Sequence, residues 1–345
     1  MTPSSHVPLE KSVQRYADGR NALVQMPEIT KLAGSRVCVV GSTGQIGSVL
    51  IQILREANAT VLADNPIHLC GVARTAPPGP SDTAYDFIAA SVADPEAVTA
   101  LPDFDYVIYV AGTASDYLHR RQETIATQVV GLEAFLTRYA GCKSFVFISS
   151  TRVYGRISDG SPITEQALAC VPPMHTDNVY DSAKRLGESL CLWHARFGTT
   201  PATVARLSNI YGAGESQRSE TAISDFARQA EQTGCIALKG HPDSTRNWTC
   251  VLDIAQGILR VLLRGRAGEA YNIGSDEHLS SRQLAEMVAA AFPDPVSVQP
   301  PVQPTPLSLQ TISIEKARQE LDFRPVFTFG SLAPLVVAQT RRNNP

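Results

Sequence analysis

The run Val37-Cys-Val-Val-Gly41-Ser-Thr-Gly44-Gln-Ile-Gly47 constrains this chain more than any other segment. A strand buried on both faces reads as an unbroken apolar stretch, and here one leads into glycines followed by a helical pattern. Glycines in such a turn let the backbone approach a pyrophosphate, which rests on the helix N-terminus where unpaired N–H groups and the helix dipole favour an anion. The segment therefore predicts a strand, a tight turn and a helix that together bind a dinucleotide. A glycine turn with no ligand is the alternative that these residues alone leave open.

From Arg36 onward, short apolar runs alternate with helical stretches, the pattern of a parallel sheet covered on both faces. Strands are expected at Arg36–Val40, Ile67–Val72, Tyr106–Val110, Phe145–Ser149 and Thr203–Leu207, with helices at Ile46–Glu56, Glu96–Ala100, Arg121–Ala140 and Tyr180–Phe197. Right-handed crossovers then give an α/β fold of Rossmann type, a doubly wound parallel sheet with ligands at the carboxyl ends of its strands. After Asn209 the texture shifts to loops and shorter helices, Ser219–Gln232 and Ser281–Ala291, and a Pro-rich stretch from Pro293 to Pro306 reads as a connecting loop. The expected organisation is an N-terminal arm (1–31), a dinucleotide-binding domain (32–207 and 245–265), a smaller C-terminal substrate-binding lobe (208–244 and 266–332) and a tail (333–345).

With 345 residues and 43% hydrophobic content, the chain can bury a full core. Thirty basic against 33 acidic residues leave a net charge of −3 and no basic stripe, which argues against a nucleic-acid partner. The longest apolar runs are strand-length, short of the roughly 20 residues of a membrane span. The first thirty residues look polar and carry no basic segment followed by an apolar one, so the expected location is the cytoplasm. Seven cysteines without a CxxC pair suit a reducing compartment, and the seven scattered histidines show no zinc-like spacing, so no metal is expected.

Two further segments carry chemistry. Tyr180-Asp-Ser-Ala-Lys184 opens a predicted helix, which places an ammonium one turn from a phenol. An unperturbed phenol has a pKa near 10, too high for proton transfer at neutral pH, and a nearby positive charge lowers it. A lone pair of this kind recurs by chance on amphipathic helices. In Phe145-Val-Phe-Ile-Ser149-Ser150-Thr151-Arg152-Val153-Tyr154-Gly155, a buried strand ends in hydroxyls at the sheet's carboxyl edge, where one can share a substrate oxygen with the tyrosine.

In order and spacing, the glycine loop, the strand-end serine and the Tyr/Lys pair resemble the extended short-chain dehydrogenase/reductases, and in particular the NAD-dependent nucleotide-sugar epimerase/dehydratase branch. Arg206-Leu-Ser-Asn209-Ile-Tyr-Gly212, Gly240 through Arg246 to Asp253, and Tyr271-Asn-Ile-Gly274 extend the resemblance over Leu32 to Pro325. The resemblance implies Ser150, Tyr180 and Lys184 as catalytic residues, with Tyr180 as acid/base. It implies a cofactor site of Gly41, Thr43, Gly44, Gln45, Ile46, Gly47, Arg74, Ala111, Gly112, Tyr180 and Lys184. Ser150, Thr151, Arg152, Asn209 and Arg246 would face a nucleotide-sugar substrate, with Arg246 pairing to its diphosphate. It also implies a homodimer built on Arg121–Ala140 and Tyr180–Phe197, to which Val130, Phe135, Leu186 and Leu192 could contribute.

The departures from the family matter as much. Dehydratases and decarboxylating members carry a glutamate two residues before the motif tyrosine, and here Arg152 stands there; a guanidinium stays protonated and cannot act as the base. Ser91 replaces the aspartate that meets adenine, Gln128 an asparagine in the following helix, and Gln310 a second diphosphate arginine. Arg74 ends the second strand, where an acidic residue would accept the ribose hydroxyls of NAD and an arginine could accommodate the extra phosphate of NADP. The long connection from Asn58 to Pro66 resembles bacterial surface-sugar epimerases that share this arginine, which puts NAD ahead. The expected activity is therefore epimerisation through a transient keto intermediate on tightly bound NAD. The rivals are an NADPH-dependent ketoreductase of a 4-keto nucleotide sugar and a non-catalytic dinucleotide sensor on the same fold.

Overall fold

The computed structural model describes residues 7–77, 85–112, 120–155, 160–168, 178–212 and 222–342. Its strands are β1 (Arg36–Val40), β2 (His68–Ala73), β3 (Asp86–Ala89), β4 (Tyr106–Tyr109), β5 (Ser144–Ser150), β6 (Ala202–Leu207), β7 (Asn209–Tyr211), β8 (Cys235–Ala237), β9 (Thr245–Cys250), β10 (Ala270–Ile273), β11 (His278–Ser280), β12 (Ser297–Gln299) and β13 (Leu309–Gln310). The α-helices are α1 (Leu9–Val24), α2 (Gln45–Asn58), α3 (Pro95–Thr99), α4 (Arg121–Ile125), α5 (Leu132–Arg138), α6 (Asn178–Phe197), α7 (Ala222–Thr233), α8 (Val251–Arg264), α9 (Ser281–Ala289), α10 (Glu315–Leu321) and α11 (Phe329–Arg342).

Seven strands form one sheet in the order β10-β6-β5-β4-β1-β2-β3, every neighbouring pair parallel. This is the doubly wound Rossmann-type sheet expected from the sequence. Its order reverses between β1 and β4, and at such a switch point a crevice opens beyond the carboxyl ends of the strands. Strands β1 and β5 are buried along nearly their whole length, which is why they read as continuous apolar runs. In the smaller lobe β9 is flanked by β11 and β13, and β7 also pairs with it, so residues 245–250, expected in the dinucleotide-binding domain, belong to this second sheet instead; β12 pairs with β8.

Four further expectations are corrected. Tyr271-Asn-Ile lies within the range assigned to the smaller lobe, yet β10 is the outer strand of the main sheet, paired with β6. The Pro-rich stretch is not wholly loop, because it contains β12. Residues 333–342 of the expected tail are part of α11, whose Leu332, Ala333, Val336 and Val337 are buried. The N-terminal segment is no loose arm either. Helix α1 and the 3₁₀ turn Pro27–Leu32 put Leu23, Val24, Met26, Ile29 and Leu32 into the core. Ser12 donates to the Ser331 carbonyl at 2.9 Å, Gly19 lies under the Phe327 ring where a Cβ would stand 2.2 Å from Cζ, and Glu28 pairs with Arg260 at 3.0 Å. Helices α1 and α11 thus pack against each other.

The single helix expected over Arg121–Ala140 is interrupted by a π-helical turn, Ala126–Gly131, between α4 and α5. The buried Tyr109 hydroxyl donates to the Thr127 carbonyl at 2.7 Å and so enters the helix's own hydrogen-bond ladder, a recognised cause of local widening. Gly131 fits tightly at the end of that turn, where a Cβ would lie 2.5 Å from the Val92 carbonyl. Phe135, one of the four residues named for subunit contact, is fully buried, while Val130, Leu186 and Leu192 are exposed. The first three residues of the expected helix Ser219–Gln232, and Cys170, lie outside the described residues. Among those described, no helix is long and apolar enough to cross a membrane.

The N-terminal segment makes a direct stability prediction. Ile29→Ala should destabilise the protein by about 2–5 kcal/mol, the range for emptying a fully buried aliphatic site, and shift the denaturant midpoint accordingly. An unchanged midpoint would mean that this segment is not part of the core.

Candidate active site

The glycine turn forms a cradle shaped by close backbone approach. Gly41 has φ +88°, a region that favours glycine, and a Cβ there would stand 2.7 Å from the Ala111 amide. A Cβ on Gly47 would lie 2.1 Å from the Gly41 carbonyl, so the first turn of α2 can pack directly against β1. Gly44 caps α2, with Gln45, Ile46 and Gly47 opening it, and Thr43 stands half-buried just before. The Gln45 side chain donates across to the Gly212 carbonyl at 2.9 Å, which ties the turn to the end of β7. Ala111 and Gly112 follow β4 on the facing side, where Gln128 donates to the Ala111 carbonyl at 2.9 Å. Ser42 Oγ and Gln128 Oε1 are both buried without a hydrogen-bond partner. Backbone N–H groups opening α2, the unpartnered Ser42 hydroxyl and absent Cβ atoms together fit a dinucleotide pyrophosphate.

Beyond the turn, Ser91 follows β3 half-buried, and its hydroxyl accepts from the Ala93 amide at 3.3 Å. Arg74 directly follows β2 and pairs with Glu123 of α4 at 2.8 Å.

Tyr180 and Lys184 lie one turn apart on α6, both nearly inaccessible at 8% and 5% exposure. Lys184 Nζ donates to the Ile148 carbonyl at 2.5 Å and sits 5.8 Å from the Tyr180 ring centre. Ile148 is two residues before Ser150 on β5, so one hydrogen bond ties the lysine to the strand that delivers the serine. Ser150 ends that strand half-buried, and its Oγ accepts from the Arg152 amide at 3.3 Å. Burial pushes the Lys184 amine down to about 7, with the Glu188 carboxylate working in the opposite direction.

The remaining predicted residues lie on the turn after β5 and on the sheet around β9. Thr151 and Arg152 form a short 3₁₀ turn after Ser150. Arg152 Nε donates to Asp181 at 2.7 Å, and its guanidinium carbon stands 5.8 Å from the Tyr180 ring centre. On the smaller lobe, Arg246 and Trp248 share one face of β9; Asn209 of β7 lies opposite Trp248 and Gln310 of β13 lies opposite Arg246. Gln310 donates to the Gly155 carbonyl and so joins this sheet to the turn that carries Arg152. Arg246 donates to the Thr245 and Ser308 carbonyls at 2.9 and 3.0 Å. Burial, and next the positive charge of Arg152, disfavour its charged form. An anion placed near both arginines would relieve that repulsion.

One residue was not singled out in the sequence. Glu188, one turn beyond Lys184, accepts from Ser149 Oγ at 2.6 Å and from Arg206 at 2.7 Å. Arg206 also donates to the Tyr154 oxygen at 2.8 Å, and Tyr154 donates to Asn272 Oδ1 at 2.7 Å. This buried chain fastens α6 to β5, β6 and β10. The signal was the i,i+4 spacing from the lysine, readable on a helix already predicted.

Known proteins resemble this chain over most of its length. Residues 37–274 match the model of the NAD dependent epimerase/dehydratase family. A UDP-glucuronic acid decarboxylase of Arabidopsis thaliana is 26% identical over 92% of this chain and 71% of its own length. Among solved structures, a dTDP-glucose 4,6-dehydratase from Streptomyces venezuelae superposes with a TM-score of 0.76 at 23% identity, covering 90% of this chain and 97% of that one. A UDP-glucuronic acid 4-epimerase from Bacillus cereus does so with a TM-score of 0.73 at 22% identity, covering 89% and 99%. With the family model spanning the glycine cradle, the strand-end serine and the Tyr/Lys helix, the chain belongs to the NAD-dependent epimerase/dehydratase family.

Proposed function

We propose that this chain is a nucleotide-sugar epimerase that works through a transient keto intermediate with NAD held tightly between turnovers. The observation that carries the reading is the arginine at position 152. Eliminating and decarboxylating relatives place a carboxylate there, whereas Arg152 is a fixed cation paired to Asp181. Glu188, the nearby carboxylate on the same helix, is likewise engaged by a guanidinium, that of Arg206. Neither carboxylate is poised to move a proton at carbon, and oxidation followed by reduction at one carbinol centre needs no such base.

A nicotinamide held by the glycine turn, Tyr180 and Lys184 would supply a reversible hydride acceptor for the sugar carbon. Tyr180 removes the proton from the adjoining hydroxyl, and Ser150 donates a hydrogen bond to the same oxygen as it becomes a carbonyl. Lys184, its amine brought by burial to about 7, stabilises the phenolate beside it when it carries its proton. Arg246 and Asn209 anchor the nucleotide diphosphate from the smaller lobe while the sugar ring turns to present its other face. The two chains of a homodimer would meet through the exposed apolar residues of α6 and the helix before it: Val130, Leu186, Trp193 and Phe197. The described cysteines are free thiols, which suits a cytoplasmic enzyme.

Three outcomes test this reading. Incubated with nucleotide-linked hexoses and uronic acids, the protein should yield epimers and neither 4-keto-6-deoxy product nor carbon dioxide; either of the latter would overturn it. Stoichiometric consumption of NADPH with a keto sugar would instead establish the reductase. Tyr180→Phe should cost about 10²- to 10⁴-fold in turnover, the usual worth of a general acid–base group, and retention of more than about a tenth would remove Tyr180 from that role.

The buried lysine adds a prediction for pH. In the unfolded chain the Lys184 amine keeps its proton up to its ordinary value of 10.5, whereas in the fold it releases it near about 7. Between those values the unfolded chain binds more protons, so this group's contribution to stability rises with pH across that window. Its burial costs most below it. Lys184→Met should therefore raise the melting temperature of the cofactor-free protein more at about pH 6 than at about pH 9, the range within which the two protonation states exchange. An equal change at both would show that the amine is not held in its neutral form.

A further inference from the structure

We propose that Glu123 sets the cofactor preference, making this chain select NAD over NADP although an arginine follows the second strand. The inference rests on dinucleotide binding alone, and it stands whether or not the chain is an epimerase.

Arg74 occupies the place where a sheet of this kind reads the adenosine ribose, immediately beyond β2. Gly71, three residues earlier on β2, packs against the glycine turn itself, since a Cβ there would stand 2.8 Å from Ser42 Oγ. In isolation such an arginine invites a 2′-phosphate. Here its guanidinium is already committed to the Glu123 carboxylate at 2.8 Å, and the other oxygen of that carboxylate is held by Arg120. Glu123 is the more enclosed partner, with its side chain 24% exposed against 61% for Arg74. It lies on the same helical run as Gln128, which bonds the Ala111 carbonyl at the end of β4. That run therefore carries an acidic group to the ribose end of the cleft.

The acidic function that other dinucleotide sites place at the end of the second strand is thus supplied from α4. A ribose 2′-hydroxyl can donate to the Glu123 carboxylate, which two arginines hold in place. A 2′-phosphate finds Arg74 neutralised and brings about two negative charges to within a few ångströms of a fixed carboxylate. Removing the carboxylate charge would release two guanidiniums to the phosphate.

Competition for the full chain tests this directly. The protein is equilibrated with equimolar excess NAD⁺ and NADP⁺, and the bound dinucleotides are measured by native mass spectrometry, a readout that needs no turnover. Wild type should carry NAD over NADP by at least about tenfold, and Glu123→Gln should bring the ratio near or below about one, a shift equivalent to losing one charged contact. Adding Arg74→Gln to Glu123→Gln should restore preference for NAD, because the freed guanidinium is what recruits the phosphate. A wild type that carries as much NADP as NAD, or a ratio unchanged by Glu123→Gln in a protein that still binds NAD, would overturn the proposal.

Discussion

The active region depends on the burial of one amine. Lys184 is almost wholly removed from water, and its nitrogen is satisfied by the Ile148 carbonyl on the strand that ends at Ser150. Desolvating an ammonium is costly, so the surrounding framework has to hold it there. That framework is the buried series Ser149, Glu188, Arg206, Tyr154 and Asn272, which spans the catalytic helix and three strands of the main sheet. A network whose members are each satisfied rigidifies its site, and this one fixes the distance between the helix bearing Tyr180 and the strand bearing Ser150. An amine brought near neutrality by burial responds to the ionisation of a phenol beside it.

Around this core the charges are arranged in opposed pairs. Arg152 with Asp181 and Arg206 with Glu188 remove both helix-borne carboxylates from proton transfer. Arg246 is the contrasting case, bonded to backbone carbonyls and repelled by Arg152. A diphosphate or a sugar carboxylate is the kind of group such a surface attracts, so Arg152, which argues against elimination, also argues together with Arg246 for an anionic substrate. Glu123 plays the converse part at the ribose end, where it takes up an arginine that would otherwise attract phosphate.

Much of the fold could be read in the sequence because it is written in local patterns. β1, β4, β5 and β6 are buried on both faces and appear as apolar runs, and the glycine turn announces itself by residue type. What escaped was set by partners far along the chain. The edge strand β3 is short and only partly buried, so its pattern is faint. Helix α1 is polar over most of its surface and becomes structural through partners distant in the chain, α2, α8 and above all α11, more than three hundred residues later. The π-turn follows from a tyrosine on β4 reaching Thr127, and no periodicity within the helix foretells it. At the site, Ser150, Tyr180 and Lys184 were visible as ordered motifs, whereas the meaning of Arg74 was not, because the carboxylate that neutralises it stands 49 residues away on another element.

The central claim is that a hydride leaves one carbinol carbon of a nucleotide sugar and returns to that same carbon. It is tested most directly with a nucleotide-linked hexose deuterated at C4, followed by mass and NMR analysis of both epimers after many turnovers. The account predicts that the label remains on C4 in substrate and product, with no deuterium lost to solvent and no build-up of free reduced cofactor. Loss of the label to released cofactor, or solvent hydrogen appearing at a neighbouring carbon, would contradict it.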